Sequence, residues 1–316
     1  MKNQLSQLLN RLKNNMNYHA GYPINYDFED SDLYQLLTCH MNNIGDPFLL
    51  KSPFSTHEYE YEVVKWFLKL YGLDTETGWG YVTSGGTEGT LFGLWQGKEL
   101  LDRPILYCAQ SAHYSVYKAA RLLGLELKMI PCDHRGVLYY DEMAGCVDKG
   151  RDAIFLVTLG STMTSSLDDV ARIKATFNNC GIRSYIHADA ALDGMILPFI
   201  NSPYSYKLTD GIDSVSISGH KLIGASAPCG VVLIHRQHIN QINKNIPYIN
   251  NMDCTLTGSR SGYAPMILWS KIKAKGVMMD LKRLYSNVFK TRKDMLKYLM
   301  KMGLKLGVLI TRLRLC

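Results

Sequence analysis

The stretch Gly211-Ile212-Asp213-Ser214-Val215-Ser216-Ile217-Ser218-Gly219-His220-Lys221 sets an apolar run directly before a cluster of polar side chains. Val215 to Ser218 reads as a strand, and Lys221 stands just beyond its carboxyl end in a nearly apolar neighbourhood. Burial disfavours an ammonium ion and lowers its pKa, so the neutral amine that condenses with an aldehyde becomes accessible near neutral pH. A plain surface lysine after a strand satisfies the same spacing. The rest of the chain has to decide between the two.

Similar apolar runs recur upstream and downstream, at Ile105 to Cys108, Leu127 to Ile130, Ile154 to Leu159, Tyr185 to Ala188 and Gly230 to Ile234. Helical patterns separate several of them, at Tyr114 to Leu123 and Asp168 to Asn178, and an apolar helical face at Glu58 to Leu70 ends at Gly72. Strands separated by helices imply βαβ units, hence an α/β protein with a mostly parallel sheet. In such sheets ligands gather beyond the carboxyl ends of the strands. The polar clusters of this chain fall at those ends.

The first follows Trp79-Gly80-Tyr81-Val82-Thr83, where Ser84-Gly85-Gly86-Thr87-Glu88-Gly89-Thr90 turns into the helix starting near Leu91. Glycines let backbone N–H groups approach an oxyanion, the helix start adds partial positive charge, and Ser84 and Thr87 add hydroxyls. A tight turn needs such residues for conformation alone. The pattern is neither the dinucleotide G-x-G-x-x-G nor the nucleotide loop ending in Gly-Lys-Ser/Thr, so the anion it suits is a single phosphate. The second cluster is Ser111-Ala112-His113-Tyr114-Ser115, whose histidine can stack on a planar cofactor or face solvent at a helix start. The third is Gly160-Ser161-Thr162-Met163-Thr164, where Thr162 can donate to a phenolic oxygen or simply cap the next helix. In the fourth, His187-Ala188-Asp189-Ala190-Ala191, an aspartate among alanines is costly to bury unless it meets a cation such as a protonated pyridine nitrogen, and the small Ala191 leaves room for a flat ring.

Together these supply what pyridoxal 5′-phosphate requires: an anchor for phosphate, a stacking ring, a partner for the ring nitrogen and an amine for the aldehyde. Composition leaves that reading room. The chain has 316 residues, 47% hydrophobic and 20% charged, with 35 Lys+Arg against 28 Asp+Glu for a net charge of +7. That diffuse excess, gathered partly in Lys271 to Arg314, carries no nucleic-acid motif. The 8 cysteines form no C-x-x-C pair or zinc spacing, which suits reduced thiols, and no metal is expected. The start Met1-Lys2-Asn3-Gln4-Leu5-Ser6 lacks a signal-peptide core and no segment has the apolar length to span a bilayer, so a cytoplasmic protein with no membrane partner is expected.

Thr83-Ser84-Gly85-Gly86-Thr87-Glu88-Gly89, Ala112-His113-Tyr114-Ser115-Val116, His187-Ala188-Asp189-Ala190-Ala191-Leu192, Ser218-Gly219-His220-Lys221 and Thr257-Gly258-Ser259-Arg260 resemble the motifs of the group II pyridoxal-phosphate-dependent amino-acid decarboxylases. The resemblance runs from about Tyr18-His19-Ala20-Gly21-Tyr22-Pro23 to about Gly303. It implies an aspartate-aminotransferase-like (fold type I) α/β fold. It further implies a seven-stranded type of sheet and a homodimer or higher homo-oligomer with active sites at the interface. By the same resemblance Lys221 is the Schiff-base lysine, Asp189 the partner of the pyridinium nitrogen, His113 the ring-stacking residue and Thr162 a donor near the phenolic oxygen. Gly85, Gly86, Thr87, Ser218 and His220 belong to the phosphate site and Ala191 to the ring site.

The implied activity is decarboxylation of a free L-amino acid. Gly21-Tyr22-Pro23 and Ala190 to Phe199 are similar to the bacterial histidine decarboxylase branch, which the chain resembles most, so L-histidine giving histamine plus CO₂ is the expected reaction. Asn42 to Phe48 and His57 are similar to the plant serine branch, which makes L-serine giving ethanolamine the alternative. His57, Tyr81, Ser259 and Arg260 are candidates for reading the substrate. An aminotransferase would use the same lysine and aspartate. The expected layout is an N-terminal arm over 1–50, a cofactor-binding large domain over 51–250 and an interface loop with the start of a small domain over 251–316. The last dozen residues depart from the family pattern, so that small domain is expected to be truncated, and a non-catalytic remnant that binds cofactor is the alternative of another class.

Overall fold

The computed structural model describes residues 2–18, 24–25, 30–49, 53–239, 244–246 and 251–273. The expected motif residues His19 to Pro23, and the segment 274–316 on which the expectation of a truncated small domain rests, lie outside the described residues.

The chain begins with helix α1 (Lys2–Asn17), a 3₁₀ segment at Ser31–Thr38 and a short strand β1 (Asn42–Asn43) before α2 (His57–Leu70) and β2 (Gly78–Thr83). Alternating units follow: α3 (Gly86–Leu100), β3 (Ile105–Ala109), α4 (Ser115–Leu123), β4 (Leu127–Ile130), α5 (Tyr140–Cys146), β5 (Ala153–Thr158), α6 (Val170–Asn179), β6 (Ser184–Asp189) and β7 (Ser214–Ser218). The described part closes with β8 (Gly230–His235), α7 (Arg236–Ile239), β9 (Lys244–Ile246), β10 (Asn251–Asp253), β11 (Arg260–Ser261) and α8 (Tyr263–Lys273).

Strands β2, β3 and β5 are buried at every position, which is why they read as continuous apolar runs rather than alternating ones. They join a seven-stranded sheet in the order β2-β8-β7-β6-β5-β3-β4. The pairs from β4 through β3, β5 and β6 to β7 are parallel, while β8 runs antiparallel to both its neighbours. The expected mostly parallel sheet is therefore present, with one reversed strand near an edge. Because β8 is antiparallel to both β7 and β2, those two strands point the same way. Gly230 at the start of β8 pairs with Thr83 on one side and Ser218 on the other, so the glycine turn after β2 and the polar end of β7 meet at one edge.

Helix α3 carries Gly89, Gly93 and Gly97, one per turn, and this spacing sets its distance from the sheet. An added Cβ would stand 2.7 Å from Ser216 Cβ at Gly89 and 2.8 Å from Tyr185 Cδ1 at Gly97, and at Gly93 it would run into the His187 ring. Each glycine costs the helix about 1 kcal/mol in propensity. The close approach compensates by letting a buried polar chain form beneath it. Tyr185 donates its hydroxyl to Ser214 Oγ at 2.8 Å, Ser214 Oγ lies 2.7 Å from His187 Nδ1, and Ser216 Oγ bridges His187 Nε2 at 3.3 Å and Thr90 Oγ1 at 3.2 Å. Burial pushes the His187 imidazole down to about 3, so it sits there neutral. The start of α3 is thus held at a set height above the end of β6.

On the opposite face Val63, Val64, Phe67 and Leu68 of α2 pack with Ile267 and Leu268 of α8 in the main core. Tyr59 meets Trp269 edge-on at 5.0 Å between ring centroids. Pro265 stands in the first turn of α8, where its missing N–H has no intrahelical acceptor to lose. Asn42 and Asn43 of β1 pair with Ser261 and Arg260 of β11, so the N-terminal arm and the segment beyond 251 hold each other. The seven described cysteines are free. Among the described residues no helix is long and apolar enough to cross a membrane.

Candidate active site

A cavity of about 220 Å³ opens at the carboxyl ends of β5, β6 and β7. Its base is the end of β6. Asp189 is 8% exposed and accepts the Ala191 N–H at Oδ1 at 3.1 Å. Burial raises its pKa, while the Ala191 amide, Lys221 and His113 pull it back down. Thr158 stands opposite Asp189 in the β5–β6 register and lines the same cavity. Its Oγ1 is buried with no hydrogen-bond partner among the described residues.

Lys221 enters from the turn after β7, where its carbonyl accepts the N–H groups of Asn25 at 2.9 Å and Gly224 at 3.2 Å. Desolvation lowers the lysine pKa, opposed by Asp189 and by Asp193. His113 lies across the cavity just before α4. Its Nδ1 accepts the Ser115 N–H at 3.3 Å with Ser115 Oγ at 2.9 Å, which places the ring proton on Nε2. Burial lowers the His113 pKa, with Asp189 opposing and Lys221 and Lys118 adding to the shift.

The end of the cavity expected to take a phosphate is formed by the turn into α3. Gly85 adopts φ 155° and ψ 177°, a region that a side chain disfavours, and Thr83 Oγ1 donates to its carbonyl at 3.0 Å. The N–H groups of Gly86 and Thr87 belong to the first turn and have no intrahelical acceptor. At Gly86 an added Cβ would press to 3.1 Å from both Ala191 Cβ and Ser218 Oγ. His220 closes this end, its Cε1 next to Gly85 and its Nδ1 2.9 Å from the Cys229 carbonyl.

The fold therefore brings Gly86, Thr87, His113, Thr162, Asp189 and Ala191 to one cavity together with Ser218, His220 and Lys221, and Gly85 borders it through His220. The candidates His57, Tyr81, Ser259 and Arg260 do not line it. His57 and Tyr81 are fully packed inside, at 2% and 0% exposure. Ser259 and Arg260 line a separate cavity of about 190 Å³ beside Ser84 and Glu88. Ser115, Thr158, Gly160, Ser161 and Leu192 line the main cavity without having been singled out in the sequence. Ser115 had a signal, as a hydroxyl two residues after His113 at a helix start. Asp193 had one as well, as a second carboxylate four residues after Asp189. Burial raises Asp193 to about 7, with Lys221 lowering it.

Residues 14–303 match the model of the pyridoxal-dependent decarboxylase conserved domain. The chain belongs to the pyridoxal-dependent decarboxylase family. The histidine decarboxylase of Solanum lycopersicum is 40% identical over 280 residues, covering 86% of this chain and 68% of that protein. That of Mesorhizobium japonicum is 37% identical over 278 residues, 87% of this chain and 75% of its own. Serine decarboxylase 2 of Oryza sativa subsp. japonica is 37% identical over 273 residues, 85% of this chain and 58% of the rice protein. Among solved structures, the L-methionine decarboxylase of Streptomyces sp. 590 superposes with a TM-score of 0.82 at 21% identity, covering 97% of this chain and 82% of that one. The family's cofactor is pyridoxal phosphate, and the residues present fit it. The crowded Gly86 cradle, the unsatisfied Thr158 hydroxyl and a lysine whose ammonium form is disfavoured are each placed for a different part of one flat, phosphorylated aldehyde.

Proposed function

We propose that this decarboxylase removes the carboxyl group of free L-histidine to give histamine and CO₂. The observation that carries the decarboxylase chemistry in this chain is the convergence of Asp189, Lys221 and His113 on one cavity that ends at the phosphate turn. Gly85, Gly86, Thr87, Ser218 and His220 would hold the phosphate, His113 and Ala191 would hold the ring between them, and Thr162 would serve the phenolic oxygen. Bound pyridoxal phosphate supplies an electron-withdrawing ring that takes up the electron pair left on Cα when CO₂ departs.

What the chain's own groups do follows from their environment. Burial lowers the Lys221 pKa, which makes its neutral, nucleophilic amine more accessible, while Asp189 and Asp193 oppose the shift. Asp189 would hold a proton on the ring nitrogen of the bound cofactor, because a buried carboxylate is stabilised by an adjacent cation. Asp189 lies at the buried base of the cavity, where electrostatic interactions are stronger than in bulk water. In the overall change the Cα–carboxylate bond breaks, one proton is taken up at Cα, and the amine leaves with CO₂.

Histidine is preferred as substrate because histidine decarboxylases from a plant and several bacteria match over most of the chain. The rice match at 37% identity makes serine the second reading. Release of CO₂ and appearance of amine from a panel of free amino acids tests both. Histamine from histidine, abolished in Lys221→Ala, is the expected result; a preference for serine would reverse the assignment, and keto acid without CO₂ would indicate transamination. The working unit is proposed as a cytoplasmic homodimer or higher homo-oligomer, which sedimentation of the purified chain tests.

A further inference from the structure

Glu88 is the third residue of α3, in the same helical turn whose free N–H groups face the phosphate end, yet it is not among the residues lining the main cavity. It is 9% exposed and its carboxylate is committed elsewhere. Oε2 accepts the backbone N–H of Ser84 at 2.7 Å, reaching back over the turn, and Oε1 accepts the Tyr81 hydroxyl at 3.1 Å. Tyr81 in turn accepts the Leu256 N–H at 3.4 Å and lies 5.3 Å below the Arg260 guanidinium, which Glu60 holds through both carboxylate oxygens at 3.2 and 3.1 Å. A buried relay thus runs from the N-terminal arm and β11 to the first residue of the glycine turn.

A carboxylate in the first turn is a common way to satisfy the N–H just before a helix. In this turn it has a second effect. With the Ser84 N–H taken, and Gly85 in a backbone region that few residues adopt, the N–H groups of Gly86 and Thr87 are held as the donors left for an incoming anion. We propose that Glu88 is the positioning residue of the phosphate site, fixing the Ser84 to Thr87 turn in its anion-binding shape without touching the anion. The proposal rests on the reading of that turn as the cofactor's phosphate site. It makes the acceptor geometry of Glu88 matter and its negative charge dispensable.

Equilibrium binding of pyridoxal 5′-phosphate and of unphosphorylated pyridoxal to the full chain isolates this role, because both aldehydes use Lys221 and only one uses the turn. Glu88→Ala is expected to cut the preference for the phosphorylated aldehyde by roughly tenfold or more, the scale of a lost hydrogen bond to a charged group. Glu88→Gln, which keeps an acceptor for Ser84 and a partner for Tyr81, is expected to stay within about threefold of the parent. General destabilisation would lower both affinities together and leave their ratio alone. An unchanged preference in Glu88→Ala, or an equal loss in Glu88→Gln, would overturn the proposal. If Glu88→Ala does not fold, Glu88→Asp, one methylene too short to reach Ser84, is read in the same way. A parent chain that binds both aldehydes equally would sink the phosphate turn itself, and the positioning role with it.

Discussion

Gly160 and Asp193 compete for one volume at the cavity wall: the left-handed backbone of Gly160, at φ 97°, passes so near the carboxyl that an added Cβ would lie 2.7 Å from Asp193 Oδ2. The carboxyl is 6% exposed, and burial raises it to about 7 although Lys221 opposes the shift. An acid raised in the folded state loses stability as pH climbs from its unfolded value to its folded one. The loss is therefore spread between about pH 4 and pH 7 and complete above that window. Asp193→Asn removes it. Urea midpoints should favour the variant increasingly from pH 5 to pH 8, by up to about 4 kcal/mol, and a gap that narrows with rising pH would count against the assignment.

The role proposed for Asp189 sets its chemistry against stability. Its burial raises the carboxyl pKa against the pull of Lys221 and His113. Asp189→Asn should hold or raise the thermal midpoint while lowering turnover by roughly 10²-fold or more, since the proposed electrostatic partner of the ring nitrogen would be gone. Parent-like turnover would remove Asp189 from the reaction.

The glycine row of α3 predicts opposite outcomes for the same substitution at two helical glycines. At Gly93 a methyl group would meet the buried His187 ring, so Gly93→Ala should destabilise by about 1–3 kcal/mol or more through overpacking. At Gly145 in α5 no described residue would come within 4 Å of an added Cβ, so Gly145→Ala should stabilise by about 0.5–1 kcal/mol. Chemical denaturation of the two variants side by side decides it.

Arg260 is the centre of a buried ion pair. Besides Glu60 it donates to the Gly45 carbonyl at 3.0 Å and Thr255 Oγ1 at 3.2 Å, while Glu60 accepts the Val82 N–H at 2.8 Å and Asn43 Nδ2 at 2.7 Å. Arg260→Met leaves the Glu60 charge unpaired and should cost about 3–5 kcal/mol. Arg260→Met with Glu60→Gln should recover part of that loss, read as a rise in the urea midpoint over the single variant.

Much of the sheet was legible in the chain because strands buried on both faces need unbroken apolar runs, and Ile105 to Cys108 misses β3 by one residue; Leu127 to Ile130 matches β4 at both ends although that edge strand is only partly buried. Helix α5 escaped notice because its seven residues make only about two turns, and Tyr140, Met143 and Cys146 are too short a stripe for a helical period to stand out. The position of β8 between β2 and β7 also has no local signature, since strand order comes from which faces pack and not from spacing along the chain.

The site divides along the same line. Motif chemistry alone singled out Lys221, Asp189, His113 and the Gly85-Gly86-Thr87 turn, because an amine, a buried acid, a flat ring and exposed N–H groups are properties of residue type and local backbone. Whether a residue faces a cavity or a core is a property of packing. Tyr81 and Arg260 have the side chains of a binding pocket, yet the tertiary structure uses them to hold Glu88 and Glu60, while it brings Thr158 to the cavity wall and Asp193 behind Gly160 within electrostatic reach of Lys221. Burial and direction arise only when β2, β7 and β8 align their ends, so the chemistry was written in the sequence and its three-dimensional arrangement was decided by the fold.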